Sequence, residues 1–318
     1  NLLKPKKLNM KILGIGNAII DVICKVDEKF ILENNLSKGN MKLIFDENEF
    51  KSLLSKLKIE KTISGGSVAN SIVGLSQQGN EVGFIGKVSA DNFGEKYELG
   101  LKKENVNYIY KKKEEDLPTG TCLILITPDS ERTMCTFLGI AGKINENDIS
   151  AQALRNYEIV FLEGYLWDEG DPKKAFDKAI SGANKVAMSL SDKFCVDRHK
   201  PHFLELVKNK LDITFANEEE IMSLINAKNF NEVISFGKET KKKLVITRGD
   251  KGAISIDKGS IFEVAAQKNL DIIDLTGAGD LFASGYLHGL INNMSQENCL
   301  KKGSEMSARV IQQIGARL

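Results

Sequence analysis

The stretch DLTGAGD, Asp274 to Asp280, stands directly before LFASGYLHGL, an apolar run with helical spacing. A helix N-terminus leaves backbone N–H groups unpaired and carries a partial positive charge. Gly277, Ala278 and Gly279 keep bulk away from those groups, so an anion can approach them closely. The result is a cradle for a phosphate. Asp280 falls in the first turn beside it. A carboxylate is an awkward neighbour for a phosphate unless it has a task, and its natural task is to take a proton from an attacking hydroxyl. The plainer alternative is an ordinary helix start with an acidic residue in its first turn.

Other stretches carry residues able to serve such chemistry. GGSVAN (65–70) pairs Gly65 and Gly66, which allow close backbone approach to a ligand, with Asn70 one helical turn on. LGIGNAIIDV (13–22) sets Asn17 and Asp21 four residues apart. On a strand, that spacing puts both on one face, able to bond the vicinal hydroxyls of a ribose. A solvent-facing polar strand is the alternative. NEEE (217–220) offers Asn217 and Glu220 after a strand end, where α/β ligands usually bind; dipole compensation is the alternative. TRGDKG (247–252), with Thr247, Gly249 and Gly252, reads alone as a β-turn.

Several familiar chemistries are excluded. Gly14-Ile-Gly16 follows a strand, but Ile19 stands where the dinucleotide fingerprint needs glycine. GLSQQGN (74–80) has asparagine where a P-loop needs lysine, and GGSVA (65–69) fails the nucleophile elbow. The three histidines form no H-E-x-x-H, and the five cysteines form no C-x-x-C pair. Odd, scattered cysteines argue against a disulfide framework or zinc ribbon and fit a reducing cytosol. Net charge is +1, so neither a nucleic acid nor a strongly acidic partner is expected. Lys111–Lys113 and Lys241–Lys243 read as solvated turns. The basic start, NLLKPKKLNM, precedes a stretch too broken by Asn17 and Asp21 for a signal-peptide core. No window reaches about 18 apolar residues, the length of a membrane span. The expected setting is cytoplasmic, with no membrane partner.

The elements that must position these residues follow from the pattern. The 318 residues, 42% hydrophobic, suffice for one large α/β domain with a smaller lobe. EIVFLEG, KVAMSL, LDITFAN and KLVITRG read as buried strands alternating with helical stretches. That alternation predicts a mostly parallel sheet covered on both faces. DPKKAFDKAISGANK starts a helix with Asp171 as cap and Pro172 in its first turn. Residues 17–46 and 107–137 break the rhythm and read as antiparallel strands of a small β lobe, with the remainder as the large domain.

D-x-T-G-A-G-D followed by F-A-S-G-Y resembles the C-terminal signature of the ribokinase-like (PfkB) sugar and nucleoside kinases. GGSVAN resembles the family's G-G-x-x-x-N, NEEE its N-x-x-E, and TRGDKG its T-x-G-x-x-G. The four occur in family order between about residue 12 and residue 318. The resemblance implies a three-layer α/β/α fold with a mostly parallel central sheet and a small β-strand lid. It implies ATP and Mg²⁺ as cofactors, with K⁺ an activator in some members. It assigns the Gly277–Gly279 backbone to the transferred phosphoryl group and Asp280 to the acceptor hydroxyl as base. Thr247, Gly249 and Gly252 would lie by the nucleotide with Asn217, and Asn217 and Glu220 would organise Mg²⁺ through its water.

The acceptor side resembles the bacterial adenosine-kinase-like branch. Asn17 and Asp21 have that branch's spacing, and Ser67 stands where ribokinases typically carry lysine. PTGTCLILITPDSERTM and LEGYLWD (162–168) resemble its lid and its strand end. Arg132 could then reach a phosphate from the lid, against the alternative of an exposed turn. Tyr165 or Trp167 could stack on a purine, against the alternative of core packing. Gly65, Gly66 and Asn70 complete the acceptor set. The implied reaction moves the γ-phosphate of ATP to the 5′-hydroxyl of a nucleoside, adenosine first. A sugar kinase with the same chemistry is the alternative, and a non-catalytic nucleoside sensor is a third reading. The protein would be a monomer or a homodimer.

Overall fold

The computed structural model describes residues 11–167 and 170–318. The basic stretch at residues 1–10 and Asp168 of LEGYLWD lie outside the described residues. In chain order the strands are β1 (Ile12–Ile15), β2 (Ile19–Lys25), β3 (Met41–Leu43), β4 (Ile59–Gly65), β5 (Val82–Ile85), β6 (Asn107–Tyr108) and β7 (Gly120–Ile126). They continue with β8 (Arg132–Phe137), β9 (Ile159–Glu163), β10 (Lys185–Ser189), β11 (Ile213–Asn217), β12 (Lys243–Thr247), β13 (Ala253–Asp257) and β14 (Ser260–Val264).

Among the described residues, nine strands form a large sheet in the order β14-β13-β12-β11-β10-β9-β1-β5-β6. Pairing is parallel from β12 to β6 and antiparallel at the β12-β13-β14 edge. The central strands ILGI, VGFI and IVFLE are buried at every residue, as a sheet covered on both faces requires. Their alternate residues feed two cores. Ile12, Phe84 and Phe161 pack with Ile72 and Leu287, from helices Ser67–Gln77 and Ala278–Ile291. Leu13, Val160 and Leu162 pack with Phe176, Val196 and Leu224 on the other face. The three-layer expectation is met.

The chain leaves β1 toward β5 on one side and reaches β9, β10, β11 and β12 on the other. Such a switch point opens a crevice at the carboxyl ends of the strands. Gly16, Glu163, Asn217 and Thr247 stand along that edge.

The small sheet has the order β3-β8-β7-β2-β4. It is mixed rather than antiparallel: β2–β7 and β3–β8 run parallel, β2–β4 and β7–β8 antiparallel. Parallel neighbours need long crossovers, and these pairs are joined only through distant chain. The lobe bounds also differ from 17–46 and 107–137. Ile59–Gly65 belongs to the small sheet, although its charged IEKT start hides the strand. Asn107–Tyr108 instead closes an edge of the large sheet against β5. Asp171 is inside its helix, whose cap is Gly170 at φ +89°. No helix among the described residues is long and apolar enough to cross a membrane.

Candidate active site

The helix Ala278–Ile291 starts with Gly277 as cap, at φ +80° and with no side-chain cap bond. A Cβ on Gly277 would lie 2.7 Å from the Ala316 Cα, so both conformation and space require glycine. A Cβ on Gly279 would meet nothing within 4 Å, so this position opens onto free space. Asp274 braces the turn. Its Oδ1 accepts from the Thr276 N–H at 2.9 Å and the Thr276 hydroxyl at 2.6 Å. Its Oδ2 accepts from the Gly315 N–H at 2.9 Å and pairs with Arg132 Nη1 at 2.7 Å. Arg132 thus ties lid strand β8 to the glycine turn; in this arrangement its partner is a carboxylate.

Asp280 is half-buried and held from the helix Ser67–Gln77. Ser67 Oγ donates to its Oδ1 at 2.6 Å, and Asn70 Nδ2 to its Oδ2 at 3.0 Å. Ser71 Oγ donates to its carbonyl at 2.8 Å. Burial pushes the Asp280 carboxyl up, opposed by the Ser67 and Asn70 bonds and by Arg317. Each carboxylate oxygen has two lone-pair directions, so one donor on each leaves room for an incoming hydroxyl. Gly66, at φ +105°, lets the start of this helix pack on the joint between β1 and β2: a Cβ there would sit 2.2 Å from the Asn17 carbonyl oxygen.

Asn17 and Asp21 do not share a strand face as expected. The strand begins at Ile19, and Asn17 lies in the joint between β1 and β2. Asn17 is buried there, with Nδ2 donating to Glu163 Oε1 at 3.1 Å. Its Oδ1 is buried with no partner among the described residues. Asp21 lies within β2, close against Gly65, where a Cβ would be 2.5 Å from Asp21 Oδ2. Burial pushes its carboxyl up to about 7, against the pull of Arg317 and Arg132.

Tyr165 follows β9 and is 40% exposed, with its backbone N–H on Ser191 Oγ at 3.0 Å. Trp167 is core instead. It is 2% exposed and stacks on Phe176 at 5.7 Å, so it offers no face to a ligand.

Glu163, Cys122 and Arg317 escaped the sequence reading. Glu163 is 1% exposed and accepts from Asn17 and from the Val68 N–H at 3.1 Å. It joins the β1–β2 joint to the start of the helix that holds Asp280. Burial pushes its carboxyl up to about 7, opposed by the Val68 and Asn17 bonds. The available signal was an acid closing an otherwise apolar strand, IVFLE. Cys122 pairs in register with Asp21 and Thr136 on the small sheet, and burial pushes its thiol up to about 12. The uniformly apolar run CLILI carried no signal of the face Cys122 takes.

On the far side of the glycine turn, a cleft of about 520 Å³ is lined by Thr247, Gly249, Gly252, Ala278, Gly279 and Phe282, among others. Gly249 and Gly252 take φ +58° and +91°, and Arg248 N–H closes the turn on the Gly252 carbonyl at 2.8 Å. Asn217 is in register with Thr247, one strand away. Asn217 and Glu220 form a reciprocal cap. Glu220 N–H donates to Asn217 Oδ1 at 2.8 Å, and the Glu220 oxygens accept from Asn217 N and Nδ2, each at 2.9 Å. Burial pushes Glu220 up to about 7. Among the described residues, no three His, Cys, Asp or Glu side chains converge to hold a metal directly.

Residues 11–318 match the pfkB family carbohydrate kinase pattern. The chain belongs to the pfkB family of carbohydrate kinases. As a pfkB-family kinase it is 24% identical, over 330 aligned positions, to adenosine kinase 2 of Arabidopsis thaliana, covering 96% of this chain and 94% of that protein. The crystal structure of adenosine kinase from Sinorhizobium meliloti superposes with a TM-score of 0.86 at 33% identity, covering 98% of this chain and 96% of that one. A probable sugar kinase from Rhizobium etli superposes with a TM-score of 0.86 at 34% identity, covering 97% and 95%. The fold is ribokinase-like: a large, mostly parallel sheet covered by helices, with a separate smaller sheet.

Proposed function

We propose that this pfkB-family kinase transfers the γ-phosphoryl group of ATP to the 5′-hydroxyl of a nucleoside, adenosine first, with Asp280 as general base. One observation carries the reading. Asp280 directly follows Ala278 and Gly279, which line the cleft, and its carboxylate is held by Ser67 and Asn70 from the neighbouring helix. A nucleotide along Thr247, Gly249 and Gly252 would bring its terminal phosphate to the uncapped helix start. An acceptor hydroxyl near Asn70 would meet both phosphorus and base.

In the proposed step the hydroxyl oxygen bonds to the γ-phosphorus, the bond to the β,γ-bridging oxygen breaks, and ADP leaves. Asp280 takes the hydroxyl proton late, which suits a weak base and a loose transition state. The Gly277–Gly279 backbone stabilises charge on the transferring group. Asn17, Asp21, Gly65, Gly66 and Asn70 orient the acceptor, with Tyr165 at the rim. Magnesium would neutralise charge on the nucleotide phosphates. Asn217 and Glu220 fit a role through its water shell, because both Glu220 oxygens already accept N–H bonds. The odd number and scattered spacing of the cysteines support the cytoplasmic expectation.

A sugar acceptor is the second reading, favoured by the 34% identity to the probable sugar kinase and by a polar set that grips hydroxyls whatever they are attached to. The test is ATP consumption with Mg²⁺, in KCl and in NaCl, across adenosine, guanosine, inosine, ribose, fructose and 2-keto-3-deoxygluconate. Turnover confined to nucleosides is expected. Turnover confined to free sugars would replace the acceptor assignment, and binding without turnover would favour the sensor.

A further inference from the structure

Arg317 is a half-buried cation beside Asn70, and the proposed step does not use it. Residues beyond the helix Gln296–Val310 pack against the glycine turn and the helix Ser67–Gln77. Gly315 N–H donates to Asp274, Ala316 fills the space behind Gly277, and Gln77 Nε2 donates to the Leu318 carbonyl at 3.1 Å. This path delivers Arg317 Nε to Asn70 Oδ1 at 3.0 Å. The same Asn70 donates from Nδ2 to Asp280.

We propose that Arg317 is a positioning residue for Asp280: it fixes which way the Asn70 amide faces and places a positive charge beside the site's carboxylates. The proposal rests on the kinase reading for its consequence, though not for its geometry. A guanidinium has only donors, so it accepts nothing from asparagine and selects the Oδ1 edge. The Nδ2 edge is then committed to Asp280. Without Arg317 the amide is free to turn, and its oxygen would face a carboxylate. That arrangement is tolerable only when Asp280 carries a proton. Ser67 has no such ambiguity, because a hydroxyl rotates to suit its partner.

The charge acts in the same direction. Arg317 opposes the burial that raises Asp280, and it is the larger of two cations opposing the burial of Asp21. The second, Arg132, is paired with Asp274. Other groups facing this region are Glu163 from β9, Tyr165 just after it, and Tyr97 and Glu104 from the helix Asn92–Lys103 and its cap. Of these, Glu163 and Tyr165 interact with Asp280 and supply no positive charge. Arg317 Nη2 is buried with no partner among the described residues, which leaves its two N–H groups for a substrate oxygen.

The test compares wild type, Arg317→Met, Asn70→Ala and the double variant. The readouts are kcat against pH with the best acceptor, KM for ATP, and melting temperature. Arg317→Met is expected to lower kcat roughly 10- to 100-fold, the scale of one lost charge-assisted hydrogen bond. Its acid limb should move up by about one pH unit, while KM for ATP stays within about twofold. The double variant should be no worse than the poorer single variant, because both act through one amide. Added guanidinium should recover part of the loss in Arg317→Met and none in the double variant. An unmoved limb, or losses that add, overturns the proposal. A second readout needs no turnover: the Asp280 carboxyl carbon, ¹³C-labelled and assigned with Asp280→Asn, should titrate higher in Arg317→Met than in wild type. That shift without wild-type turnover would sink the kinase reading alone. Turnover without the shift would sink the role of Arg317 alone.

Discussion

Ser67 Oγ donates to Asp280 Oδ1 at 2.6 Å, joining two helix starts that are 213 residues apart in sequence. One start, after Gly65-Gly66, follows small-sheet strand β4; the other, after Gly277, lines the cleft with Ala278 and Gly279. In the proposed mechanism, the bond makes the position of the base depend on the acceptor side of the molecule. It also opposes the burial that would protonate Asp280. Removing a hydrogen bond to a charged group costs about 1.5–3 kcal/mol. Ser67→Ala should therefore shift the acid limb of kcat up by about one unit and lower kcat about tenfold near neutrality. A pH profile overlaying wild type would show that the bond has no catalytic role.

Asn17 and Asp21 are expected to serve the acceptor and not the nucleotide. Asp21→Ala should raise the acceptor KM by roughly 10-fold or more while KM for ATP changes about twofold at most. Asn17→Ala should act in the same direction, with some cost in stability, because Asn17 also holds Glu163. Equal losses for both substrates would mark a folding defect.

Arg132 and Asp274 join the small sheet to the glycine turn through a pair with about a fifth of each side chain or less exposed. Arg132→Ala should loosen that connection. Limited proteolysis should then cut the small sheet faster, and KM should rise for both substrates. Unchanged cleavage would mean that the pair does not hold the lobe.

Glu163 links protonation to stability. Burial pushes its carboxyl in the folded protein up to about 7, above its ordinary value of 4.5. Between those values the folded state binds more proton than the unfolded state. Stability from this group is full below about pH 4.5 and is lost as pH rises through 7. The difference corresponds to roughly 3 kcal/mol. Glu163→Gln should flatten this loss. Urea midpoints at pH 5 and pH 7.5 should differ less in the variant than in wild type, and an equal difference would place the dependence elsewhere.

The large sheet was legible because its parallel strands are buried on both faces and read as short apolar runs between helical stretches. The small sheet was less so. Ile59–Gly65 begins with exposed charged residues, and Asn107–Tyr108 has only two residues in its strand. Their sheet membership depends on partners distant in sequence. The glycine turn and Asp280 were legible as motif residues because their spacing is local. Glu163, Arg317 and the Ser67–Asp280 bond were hidden because each acts across long sequence separations. Asn17 shows the limit of spacing: four residues from Asp21 suggested one strand face, but the strand starts two residues after it.

The most direct test is the turnover of Asp280→Asn with ATP, Mg²⁺ and the best acceptor. Circular dichroism and melting temperature would establish that the variant folds. The account predicts a folded protein whose kcat falls roughly 10²–10⁴-fold, the range for loss of a general base. Folded protein with near-wild-type turnover would contradict it.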